Sequence, residues 1–87
     1  MTEKSIYSNE YEVVTKRLRE ARESLGLTQS EVSTKLQKPQ SYISKIERGE
    51  RYVDILFYID WCKACGVKPE KTVTVLSKMT ARFALRA

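Results

Sequence analysis

The chain contains no histidine, and its 87 residues include only two cysteines, two prolines and three glycines. Each shortage removes a class of function. No serine or cysteine stands beside a base that could activate it, so nucleophilic catalysis has no visible machinery. Cys62 and Cys65 form a CKAC pair. A zinc site would need four ligands, and no histidine or further cysteine is there to complete one. A redox pair normally opens a helix after a strand, and no strand precedes this pair. Two small buried residues on one helical face is the simpler reading. No glycine-rich loop can cradle a phosphate. These absences argue against an enzyme and against any metal or cofactor. No window of about 18 apolar residues exists, so no segment is expected to enter a membrane. The opening MTEKSIYSNEY lacks a secretory signal's apolar core, and the expected location is the cytoplasm.

What remains is a small folded domain. An apolar fraction of 41% is ordinary for a globular chain. So short a chain is near the lower end of what one core can hold together, and oligomerisation is a common remedy. The formal charge is +5. Basic residues crowd the first half, at Lys16, Arg17, Arg19, Arg22, Lys35, Lys38, Lys45, Arg48 and Arg51. Such a balance suits a polyanionic partner, although it also serves solubility alone.

Apolar spacing organises the chain into helices. Ser8 can cap a first helix to about Leu25, with Tyr11, Val14, Leu18, Ala21 and Leu25 on one stripe. Gly26 stops it. Thr28-Gln29-Ser30-Glu31 is a capping box that opens a short second helix with Val32 and Leu36 inward. Pro39 extends Lys38 and starts a third helix over residues 40–48, with Ile43 and Ile46 inward. Asp54 is expected to cap a fourth helix to about Cys65, burying Ile55, Tyr58, Trp61, Cys62 and Cys65. After Pro69 a fifth element reaches about Lys78. Its β-branched run over residues 72–76 fits either helix or strand. The expected organisation is an N-terminal arm over 1–8, a helical domain over 9–78 and a tail over 79–87.

Residues 25–49, LGLTQSEVSTKLQKPQSYISKIERG, form two short helices joined by a tight turn, which is a helix-turn-helix. Together, LREARESLGLTQSEVSTKL and PQSYISKIERGER resemble the Cro/C1-type (XRE) helix-turn-helix regulators, over roughly residues 9–67. The SIYS-x-EY opening and Val53-Asp54-Ile55-Leu56 are similar to segments found in a subset of that family. The resemblance implies an all-α, compact five-helix lambda-repressor-like domain, with the motif at helices 2 and 3 and usually working as a homodimer on double-stranded DNA. It also implies roles for particular residues. Gln40, Ser41, Ser44 and Lys45 would face base edges, where Gln suits adenine and Lys suits guanine; capping is the plainer role for Gln40 and Ser41. Gln29, Lys38, Arg48 and Arg51 would grip the DNA backbone. Tyr42 would rest on a sugar or phosphate, or pack against the fold. Arg22 and Glu47 match an inter-helix ion pair that would also turn Arg22 toward the phosphates.

Three residues depart from the family pattern. Gln37 stands where a glycine usually ends helix 2 in a left-handed conformation, at a cost of about 1 kcal/mol. Glu50 would oppose phosphates if it pointed at the duplex. Phe57 replaces an often charged residue, and with Leu56 it would make an exposed apolar pair, either in a dimer contact or under the tail. The leading expectation is a dimeric repressor of a palindromic operator. The competing one is a protein-interaction module such as an antitoxin, whose basic C-terminal segment (Lys78, Arg82 and Arg86 among Met79, Phe83 and Leu85) folds on a toxin. Contact with polymerase is a further possible partnership.

Overall fold

In the computed structural model, which describes residues 8–80, five helices follow one another: α1 (Ser8–Ser24), α2 (Gln29–Leu36), α3 (Gln40–Glu47), α4 (Ile55–Ala64) and α5 (Glu70–Met79). No strand occurs among the described residues. The arm before residue 8 and the segment beyond residue 80, including Arg82, Phe83, Leu85 and Arg86, lie outside them.

Local chemistry sets the boundaries. The Thr28 hydroxyl accepts from the Glu31 amide at 3.1 Å, while the Glu31 carboxylate accepts from the Thr28 amide at 2.8 Å. Two otherwise orphaned donors of α2 are thereby satisfied. These bonds hold the Glu31 carboxyl below its usual pKa. Asp54 caps α4 in the same manner, accepting from the Phe57 amide at 2.9 Å.

Four of the helices end alike. In each, the amide two residues past the last turn reaches back to a carbonyl five residues earlier: Leu27 to Arg22, Lys38 to Ser33, Glu50 to Lys45 and Val67 to Cys62. This is the Schellman closure, which needs a left-handed residue in the middle. Gly26, Gly49 and Gly66 supply it for α1, α3 and α4, whereas α2 uses Gln37 at φ 56°. The departure at Gln37 therefore leaves the turn's geometry intact and places the strain in a residue with a Cβ.

Leu18, Val32, Ile43, Ile46, Trp61 and Cys62 are fully buried and come from α1 to α4. Trp61 is the centre of this core, and its indole N–H donates to the Leu18 carbonyl at 3.1 Å. The run over residues 72–76 is helical. Thr74 returns its hydroxyl to the Glu70 carbonyl at 3.1 Å, and Thr72 is buried. Contact with α1 thus overrides the weak helix preference of β-branched residues.

Three expectations about burial need correction. Leu25 is 54% exposed and Ile55 is 61% exposed. Leu25 lies past the last residue of α1, where the helical stripe no longer aims inward, and Ile55 starts α4 on an uncovered turn. Phe57 is not half of an exposed pair. It turns inward, packing edge-on against Trp61 with ring centroids 6.3 Å apart. Leu56 alone faces outward, 72% exposed.

Candidate nucleic-acid interface

The third helix presents two different faces. Ile43, Ile46 and Glu47 are buried behind it, while Gln40, Ser41 and Lys45 are exposed in front and Ser44 is half-buried between. Its N-terminal turn follows Pro39 and carries no side-chain cap, so the Gln40 and Ser41 side chains are not occupied in capping. An amide, a hydroxyl and an ammonium then stand where a groove would meet them, the donor and acceptor set that suits base edges.

Behind this face, Glu47 gathers three elements. Arg22 of α1 donates from Nε to Glu47 Oε2 at 2.7 Å and from Nη2 to Oε1 at 3.0 Å. Gln29, the first residue of α2, donates from Nε2 to Oε1 at 3.1 Å. Arg19 donates to the Glu47 backbone carbonyl at 3.1 Å, and its Nε lies 3.8 Å from Oε1. Arg22 also reaches the Leu27 carbonyl at 2.8 Å, bracing the turn before α2. The carboxylate, with 2% of its side chain exposed, is thus satisfied by a fork and an amide. Bonding to Glu47 raises the Arg22 pKa above its already high ordinary value. Arg22 and Gln29 face inward in this arrangement, so their contribution is to hold α3 in place against α1 and α2.

The remaining basic residues divide into two kinds. Arg48 is engaged by its own neighbours: Nε and Nη2 contact Glu50 at 2.7 and 3.2 Å, and Nη1 bonds the Ser44 hydroxyl. Glu50 therefore has an internal cation, which lowers its carboxyl pKa. Lys38 and Arg51 meet instead over one ring. Lys38 Nζ is 5.1 Å and Arg51 Cζ 4.3 Å from the Tyr42 centroid, while Phe57 abuts that ring edge-on at 5.4 Å. Neither the tie from Arg19 to Glu47 nor the pairing of Arg48 with Glu50 was anticipated from sequence. The first was signalled by the spacing of Arg19 and Arg22 on one face of α1.

A short bracing helix, a tight turn, a polar-fronted helix locked from behind and a rim of basic side chains define a helix-turn-helix DNA-binding domain. Comparisons with known proteins agree. The helix-turn-helix family model matches residues 18–71. Among solved structures, an XRE-family like protein from Pseudomonas syringae pv. tomato str. DC3000 is 36% identical, with a TM-score of 0.77, covering 86% of this chain and 92% of that one. The restriction-modification controller protein C.AhdI from Aeromonas hydrophila is 26% identical, with a TM-score of 0.66, covering 74% of this chain and 97% of the other. The clp gene regulator ClgR from Corynebacterium glutamicum shares the fold at 24% identity, with a TM-score of 0.69 and coverage of 86% and 80%. No curated protein matches the chain. The chain belongs to the XRE (Cro/C1-type) helix-turn-helix family and is a DNA-binding transcriptional regulator. No helix among the described residues is long and apolar enough to cross a membrane.

Proposed function

We propose that the protein is a dimeric, sequence-specific repressor that reads a palindromic operator with α3 in the major groove. The observation that carries this reading is the pairing of an exposed polar front, Gln40, Ser41 and Lys45, with a back fixed to α1 and α2 through Glu47. A reading helix needs side chains free to meet bases and an axis that does not wander. Similarity to a restriction-modification controller supports a regulatory role.

Self-association is supported by an apolar surface at the start of α4. Ile55 and Leu56 are exposed on the first turn of α4. Beside them lies a largely apolar pocket of about 190 Å³, bordered by Tyr11, Val53, Ile55 and Val73. Pairing two copies about a two-fold axis would set two α3 helices about 34 Å apart, one turn of duplex. Occupying a promoter in that pose blocks transcription without further machinery.

Selecting bound duplexes from a randomised pool at near-physiological salt tests the reading. An inverted repeat with half-sites one turn apart is expected. Gln40→Ala should then relax the preference at particular base pairs by about 1–3 kcal/mol, leaving others unchanged. A pool that returns without an enriched sequence would overturn specific readout.

A further inference from the structure

Arg22, Arg48, Lys38 and Arg51 surround α3, but their guanidinium and ammonium groups are not equally available. Arg22 spends Nε and both terminal nitrogens on Glu47 and Leu27, and Arg48 spends its own on Glu50 and Ser44. Among the described residues, the Lys38 and Arg51 side chains donate no hydrogen bond and join no ion pair. Both sit instead against the Tyr42 ring. A cation lying over an aromatic face is attracted by the ring quadrupole while its N–H groups stay free at the edge. A carboxylate would hold the same cation by consuming those donors.

The backbone positions of the two cations are fixed independently. The Lys38 amide closes α2 onto the Ser33 carbonyl at 3.0 Å. The Arg51 carbonyl accepts from the Tyr11 hydroxyl at 2.8 Å, and that hydroxyl accepts from the Val53 amide at 2.9 Å. Only the side-chain directions are left open. Tyr42 sets them, itself held edge-on by Phe57. Like charges repel each other, and the attraction of the shared ring for both cations offsets that repulsion in the free protein. Each cation is thereby held beside α3, with its donors unspent, before a phosphate arrives.

Resting on the DNA-binding reading, we infer that Tyr42 is a positioning residue that assembles Lys38 and Arg51 into one preformed phosphate clamp. It acts on the backbone through these two side chains, and its own ring need not touch the duplex. The clamp is independent of sequence, so a mixed-sequence duplex is a sufficient probe. Binding of the full chain to that duplex is measured across a salt series for wild type, Tyr42→Phe and Tyr42→Leu, each also carrying Lys38→Ala or Arg51→Ala. In the wild-type background each alanine should flatten the slope of log affinity against log salt by about 0.9. Tyr42→Phe should match wild type. Tyr42→Leu should flatten the slope by itself, and the alanine effects should shrink in its presence. A Leu variant with the wild-type slope and full alanine effects would overturn the clamp. That outcome leaves DNA binding standing, whereas a wild-type chain with no salt-dependent binding would fail the DNA reading and the clamp with it. Should the Leu variant unfold, pentafluorophenylalanine at position 42 keeps the ring's shape and removes its negative face. Its slope should fall below that of Tyr42→Phe, and equality between the two would count against the inference.

Discussion

On its α3 side, α1 is tied through Arg19 and Arg22 to one buried carboxylate; on its α4 and α5 side it meets mostly indole, phenol and aliphatic groups. The first contact is directional. A fork of two nitrogens on two oxygens accepts few orientations, so it fixes the axis of the helix that presents Gln40 and Lys45. The second contact is less complete in its polar groups. Arg17 reaches Thr72 at 3.2 Å, but the Tyr58 hydroxyl is buried without a partner of good geometry, although the Thr72 hydroxyl and Cys62 thiol are close by. Apolar packing sets volume and leaves angle comparatively free. The molecule has placed its angular precision under α3 and its tolerance where α1 meets α4 and α5.

The largest break in this comparison should come from Glu47→Ala. Removing the acid takes the bidentate partner from a largely buried Arg22, leaving it the Leu27 carbonyl and a 4.0 Å approach to Glu23, and costs about 3 kcal/mol. In a domain of this size the thermal midpoint should fall by more than about 10 °C, readable by circular dichroism.

Next in size is an alkaline effect on the other side. Burial pushes the Tyr58 pKa up from 10.0 to about 12. The folded state therefore opposes ionisation. The stability this group contributes is whole below pH 10 and is lost as pH rises through about 12. The loss is on the order of 2–3 kcal/mol. Burial also raises the thiol pKa values of Cys62 and Cys65, so they add to the same alkaline loss. Urea melts on either side of this window should show a smaller decline for Tyr58→Phe than for wild type. An identical decline would remove Tyr58 from the account.

Leu56→Glu sharpens the contrast by separating folding from assembly. Leu56 is largely exposed, so monomer stability should change by less than about 0.5 kcal/mol. Sedimentation should nevertheless show self-association weakened by about tenfold or more, since a charge in an apolar contact costs at least that much. Phe57→Glu cannot make this separation, because Phe57 packs on Trp61 and Tyr42. The smallest change is expected from Gln37→Gly. Relief of left-handed strain is worth about 1 kcal/mol, partly offset by the greater freedom of glycine in the unfolded chain. A slight rise in the urea midpoint is the result to look for.

The order of helices was legible because their boundaries are written in local chemistry. Thr28 with Glu31, Asp54, Pro39 and three closing glycines act on neighbours a few residues away, and the structure uses each of them in that way. Exposure was less legible. Periodicity shows which face of a helix is apolar but not where a neighbour stops covering it, which is why Ile55 and Leu25 were placed inside. Phe57 was misjudged through comparison with a family position that is often charged; its spacing of four from Trp61 already aligned the two on one face. At the interface, the polar front of α3 could be read directly from Gln40, Ser41 and Lys45. The sharing of Tyr42 by Lys38 and Arg51 could not, since it joins the turn before α3 to the segment after it. The pairing of Arg48 with Glu50 was hidden for a related reason. Residues two apart do not face each other on a helix, and they meet here where Gly49, at φ 75°, turns the chain.

The ring sequence Tyr42, Phe57, Trp61 runs from the basic rim to the centre of the core, with centroid separations of 5.4 and 6.3 Å, and Trp61 is the only tryptophan in the chain. Light absorbed at the red edge of the indole band excites that one side chain and leaves tyrosines and nucleotide bases dark. Unfolding wets the indole and reddens its emission. The protein thus carries its own fluorophore, and following its unfolding requires no added dye.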